Sequence, residues 1–185
     1  MFDINKKRLV RTFTELVKIT SPSWKEDGIR EYIRRSLKKL PVACKEFKCG
    51  DSFNLLITME GDKKRKPTLF SGHMDTVAPC ENVKPVITNT RISSDGATIL
   101  GSDDKAAIAM FLESLLCISE TGMAHGPIEI LLSCAEELGL HGIKGFDMSR
   151  LKSKYAFVFD SDGSIGRIVL KAPYHSTMKI IATAS

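Results

Sequence analysis

The sequence predicts a single α/β domain with a largely parallel sheet. Two observations carry this. Apolar residues recur at helical spacing over residues 4–20, 26–40 and 103–120, and short apolar runs of strand length lie between and after them. One run, Ile128-Glu129-Ile130-Leu131-Leu132-Ser133-Cys134, is nearly continuous rather than alternating. Strands buried on both faces, as in parallel sheets covered by helices, read that way. A length of 185 residues suits one domain with a real core.

In chain order, Leu9, Val10, Phe13, Leu16 and Val17 mark an amphipathic helix that ends before Ser21-Pro22. Ile29, Ile33, Leu37 and Leu40 mark a second, stopped by Pro41. Ser23, with Glu26 three residues on, reads as a capping box for that second helix. Val42 to Phe47 and Phe53 to Met59 read as two strands around Gly50-Asp51. Thr68-Leu69-Phe70, after Pro67, is a buried strand leading into Ser71-Gly72-His73-Met74-Asp75-Thr76. Residues 77–99 are irregular, with short β-branched pieces. Residues 103–120 form a central helix, apolar over much of its surface and closed by Gly122. Tyr155 to Phe159 reads as another buried strand, and residues 165–170 and 178–182 as further ones. A chain that stops at Ser185, on or just after a strand, suggests truncation, because that strand's edge would need a partner.

Composition narrows the functional classes. Hydrophobic content of 43% and charged content of 26% are those of an ordinary soluble domain. No apolar run is long enough to span a membrane, and the N-terminus has no secretory pattern. Five scattered cysteines without a Cys-x-x-Cys pair read as free thiols in a reducing cytoplasm. The net charge of +5 is modest. Its clusters, Lys6-Lys7-Arg8, Lys38-Lys39 and Lys63-Lys64-Arg65-Lys66, lack interleaved aromatics and read as solvated surface, not a nucleic-acid patch.

The chemistry lies at strand ends. One strand leads to His73 and Asp75, a second to Glu136 and Glu137, a third to Asp160, and Asp103 opens the central helix. If the strands are parallel, these groups gather at one carboxyl edge, where ligand sites of open α/β sheets lie. Each has an ordinary alternative. Asp103 or Asp104 could cap a helix, Glu136-Glu137 could be a solvated pair, and Asp160 could be a turn acid. Four segments supplying such groups at matching positions favour a divalent-metal site. Carboxylates and one imidazole suit zinc. A bridging carboxylate suits two metals about 3.5–4 Å apart. A magnesium phosphotransfer site fits less well, since His73 is a nitrogen donor and no phosphate-cradling glycine loop is present.

The ordered motifs SGHMDTV, LGSDDKAAIA, CAEELGLHG and FVFDSDG resemble the dizinc exopeptidases of the M20 family, peptidase T-like members above all. The resemblance implies a three-layer α/β/α fold with a mixed, largely parallel sheet of zinc-peptidase (phosphorylase/hydrolase-like) type, incomplete here. It implies that residues 1–176 are the N-terminal part of the catalytic domain and that residues 177–185 begin a lid domain through which such proteins can dimerise. It further implies two Zn(2+) ions. His73 and Asp160 would bind the first, Asp103 would bridge both, and Glu137 would bind the second. Asp75 would orient His73, and Glu136 would be the general base toward a bridging water that attacks a peptide carbonyl. Lys105, Ala106 and Ala107 fit the frame that follows the bridging acid. The expected substrate is a short peptide. A last zinc-binding histidine belongs to a return segment after the lid, and neither His125, His141 nor His175 is expected to replace it. By that count these 185 residues alone would be an inactive portion. A non-catalytic metal- or peptide-binding module, or a deacylase or carboxypeptidase of the same family, stays open.

Overall fold

The computed structural model describes residues 4–164 and 166–171. Helices α1 (Lys6–Val17) and α2 (Asp27–Leu37) come first, followed by strands β1 (Val42–Cys49), β2 (Ser52–Met59) and β3 (Thr68–His73). A small antiparallel ribbon, β4 (Pro85–Ile87) with β5 (Ile92–Ser94), precedes α3 (Ser102–Thr121). Strand β6 (Ile128–Ser133), the short α4 (His141–Lys144), a single 3-10 turn (Met148–Arg150) and β7 (Ala156–Val158) complete the described elements.

The main sheet has the order β1-β2-β6-β3-β7. It is mixed. The hairpin β1-β2 and the pair β2-β6 are antiparallel, whereas β6-β3 and β3-β7 are parallel. The parallel half carries the chemistry, since three strands there run the same way and end at one edge. In the β3-β6 register His73 stands beside Ser133, so the residues that follow each strand emerge side by side.

Helices α1, α2 and α3 cover one face of the sheet. Leu16, Ile29, Ile33, Ile108 and Leu115 pack there on Leu55, Ile57, Ile130 and Leu132. Each such aliphatic side chain contributes roughly 1.5–3 kcal/mol when fully buried. α3 lies against both α1 and β3. It is therefore covered on several sides, as its broad apolar surface predicted, and Gly122 in the left-handed conformation closes it with a bond from its N–H to the Ile118 carbonyl. The opposite face is covered more thinly. Leu56, Leu69 and Leu131 meet Phe146, Ile143 and Leu151 from the α4 region. Among the described residues, no long helix lies on that side.

Several expectations change, among them the capping box of Ser23 and Glu26, since α2 has no side-chain cap. Ala156, Phe157 and Val158 were read as a buried strand; they form β7, which is exposed and lies at the edge of the described sheet. Residues 166–170, read as part of a further strand, carry none, and the strand expected over 178–182, His175 and the proposed lid start at 177–185 lie outside the described residues. Arg8 is not part of a solvated basic face. Its guanidinium bonds the buried Glu113 carboxylate at 2.7 Å and also reaches Glu120, joining α1 to α3. Among the described residues no helix is long and apolar enough to cross a membrane. The five cysteines are free thiols, with Cys80, Cys117 and Cys134 buried.

Candidate metal centre

The turn after β3 delivers His73 to the sheet edge, and its side chain is only 1% exposed. Its Nε2 lies 2.8 Å from Asp103 Oδ1, 3.8 Å from Asp160 Oδ1 and 3.9 Å from Glu136 Oε2. Two sets of potential ligands converge on it. His73, Glu136 and Asp160 form one, and His73, Asp103 and Glu137 the other, with the ligand atoms of each set within 4.8 Å of one another. The structure thus brings all five of these residues together, four from strand ends and Asp103 from the start of α3. Glu136, read as a base, stands as close to His73 as a ligand would.

Asp75, the sixth predicted site residue, is fully buried. It was expected to orient His73. The nearest partner of His73 Nδ1 is the Asp75 backbone carbonyl at 2.9 Å, with the carboxylate at 3.4 Å. The carboxylate holds the neighbouring turn. It accepts the N–H of Glu136 at 2.9 Å and of Glu137 at 3.1 Å, and the Ser23 hydroxyl at 2.6 Å. Burial alone would raise its pKa, but His73, Ser23 and these two N–H groups together hold it below the usual aspartate value.

Asp104 and Lys105 were not read as site residues beyond a motif frame. Asp103 and Asp104 lie at the start of α3 with non-helical dihedrals, joined by a cis peptide. Asp103 points outward, its side chain 68% exposed, and Asp104 inward, where its Oδ2 accepts the His73 N–H at 3.2 Å. A Cβ at position 72 would overlap Asp104 Oδ2, which explains the glycine in SGH. Burial pushes Asp104 up to about 8, despite the opposing effect of His73. Lys105 is buried and donates from Nζ to the Ile19 carbonyl at 2.7 Å, tying α3 to the chain between α1 and α2. Burial lowers its pKa to about 8.

Charge balance decides what the cluster can hold. Burial disfavours a charged His73, yet Asp160, Asp75, Asp104 and Asp103 outweigh burial and raise its pKa to about 12. Burial raises Glu136 and Glu137, with neighbouring acids adding to it. Glu136, Glu137 and Asp104 are thus pushed toward their protonated forms and His73 toward imidazolium, while Asp75 and Asp160 are held below their ordinary values; such a site is short of positive charge, and a divalent cation supplies it. One nitrogen and several carboxylate oxygens suit zinc or a similar transition metal. The other described histidines stand apart. His125 precedes β6 at the far end of the sheet, and His141 is exposed with its ring 5.6 Å from Trp24.

A family model described as Peptidase family M28 matches residues 54–177. The chain belongs to peptidase family M28. The motif likeness pointed to M20, whereas the matching family model is M28. Protein YqjE of Bacillus subtilis, described as uncharacterized, is 38% identical over 181 residues, covering 95% of this chain and 49% of that protein. Peptidase T of Escherichia coli is 35% identical over 78 residues, 42% of this chain and 19% of that protein. Among solved structures, aminopeptidase PepT of Bacillus cereus superposes with a TM-score of 0.84 at 37% identity, over 88% of this chain and 45% of that one. A tripeptidase of Staphylococcus aureus gives a TM-score of 0.82 at 36% identity, over 86% of this chain and 44% of that one. The M28 chain described here therefore shares the α/β zinc-peptidase type of fold, and it spans about half the length or less of these relatives.

Proposed function

We infer that these residues form the N-terminal part of the catalytic domain of a peptidase T-like aminopeptidase that cleaves short peptides with two zinc ions. The observation that carries this is the convergence of His73, Asp103, Glu136, Glu137 and Asp160 at the carboxyl edge of the parallel strands. The similarity to an aminopeptidase and a tripeptidase supports the choice of substrate class.

The donor set fits the metal. His73, Asp103 and Asp160 would hold one ion, Asp103 and Glu137 a second, and a further histidine from beyond the described residues would complete the second. When bound, zinc polarises a carbonyl and makes water acidic enough to attack at neutral pH. The remaining steps belong to this chain. Glu136, whose carboxyl burial holds above its ordinary pKa, takes the proton from the attacking water and passes it to the departing amine. Asp75 keeps Glu136 and Glu137 in place through their N–H groups. A cleft of about 520 Å³ along Asp103, Asp104, Phe159 and Asp160 gives room for a short peptide beside the cluster.

The test is Glu136→Gln in the full-length protein. Tripeptide hydrolysis is expected to fall by about 10²–10⁴ with the metal content unchanged. Full activity in that variant would remove Glu136 from its role. Metal binding by the wild type without any peptide turnover would instead favour a binding module.

A further inference from the structure

We propose that Ser23 and Glu26, in the turn between α1 and α2, are positioning residues for Glu136. The inference rests on the peptidase role given above to that glutamate. Their spacing fits a capping box, but neither caps α2. The N-terminus of α2 has no side-chain cap, and both groups reach across the molecule instead. Ser23 Oγ donates to Asp75 Oδ2 at 2.6 Å, 52 residues away. Glu26, fully buried, accepts the Ala135 N–H on Oε1 at 2.9 Å, 109 residues away, and on the same oxygen the Trp24 N–H at 2.9 Å.

These bonds converge on one short segment. Ala135 is held by Glu26, and Glu136 and Glu137 are held by Asp75, which Ser23 in turn holds. Ala135 has a φ of +45°, in the left-handed region. A residue with a Cβ is strained there, and such a conformation persists only where its surroundings fix it. The Ala135 N–H bonded to a buried carboxylate is such a fixture, because breaking it would strand both groups away from water. The backbone of the Glu136-Glu137 pair is thereby pinned on its N-terminal side by Glu26 and along its length by Asp75. Thr76 N–H to the Ser21 carbonyl, at 2.9 Å, joins the same two loops once more. The α1–α2 turn is thus a brace that sets the direction of the general base relative to His73.

The experiment uses the full-length, zinc-loaded protein and its Ser23→Ala, Ser23→Thr, Glu26→Ala and Glu26→Gln variants. It reads kcat, KM, metal content and hydrogen exchange of the 134–138 backbone. Ser23→Ala and Glu26→Ala are expected to lower kcat about tenfold to a hundredfold, with KM within about twofold, because misplacing a catalytic group by about 1 Å costs on that order. Metal content stays at the wild-type level, and exchange of the 134–138 amides quickens while that of β6 does not. Ser23→Thr keeps the hydroxyl, and Glu26→Gln keeps the accepting carbonyl; the Oε2 that becomes an amide has no bond to lose among the described residues. Both are expected to restore kcat and protection. Wild-type kcat and exchange in Ser23→Ala would overturn the proposal, as would a kcat loss that follows metal loss or that the conservative variants fail to rescue. Should Glu26→Ala not fold, the two Ser23 variants decide alone. If the wild type hydrolyses no peptide while the exchange pattern changes as described, the peptidase assignment fails and the brace stands.

Discussion

At the residue scale, the site is a problem in placing like charges close together. The His73 ring lies beside the carboxylates of Asp75, Asp103, Glu136 and Asp160, and Asp104 adds a fifth carboxyl behind it. The backbone accommodates this only because position 72 has no side chain. Gly72→Ala is expected to push Asp104 away and break its bond to the His73 N–H. Zinc affinity should fall in that variant, measured by competition with a chromogenic chelator, and unchanged affinity would show that Asp104 does not support His73. The six candidate residues could be picked out in the sequence because each follows a recognisable strand or opens a recognisable helix, and the structure brings them together; their roles rest on the proposal above. Ser23 and Glu26 were misread for a different reason. A capping box is a rule about neighbours three residues apart, whereas their partners Asp75 and Ala135 are brought to them by tertiary folding.

At the scale of elements, α1 is fastened to α3 through Arg8, read from sequence as surface charge, which pairs with both Glu113 and Glu120. Burial would raise the pKa of Glu113, but Arg8, Cys117 and the Asn5 N–H outweigh it and hold it below its ordinary value of 4.5. The unfolded chain then binds the proton more readily than the folded one. The stabilisation is full above about pH 4.5 and is lost as pH falls through the lower folded value. Glu113→Gln is expected to cost about 2–3 kcal/mol at neutral pH, because Arg8 keeps only the exposed Glu120. The gap between wild type and variant in urea unfolding should narrow below pH 4.5; a constant gap would mean that the pair's charge is not what stabilises the contact. Apolar packing was easier to foresee. Ile108 is fully buried among α1, α2 and the sheet, on a helix that the sequence showed as apolar over much of its surface. Ile108→Ala should cost about 2–5 kcal/mol in the same assay, and a loss under 1 kcal/mol would show that the core relaxes around it.

At the scale of the whole molecule, the parallel strands β6, β3 and β7 act as one platform whose carboxyl edge faces a single cluster. Continuous apolar runs announced those strands, but not their burial. Phe157 and Val158 are as apolar as Leu131 and Leu132, yet β7 is exposed at the sheet edge and β6 is central. Strand order depends on which chain segments pair, and hydropathy carries no record of that. The second helical layer was inferred from the family likeness, and the described residues supply only α4 and its loop on that side. The chemistry is carried by relative placement, so the claim stands or falls on metal and turnover together. The most direct measurement is hydrolysis of an unblocked tripeptide by the full-length protein before and after chelation, with zinc added back. The expected result is release of the N-terminal residue, loss of that activity on chelation and its return with about two zinc ions per chain. Hydrolysis that survives complete metal removal, or none at full zinc occupancy, would contradict a two-metal peptidase centred on His73.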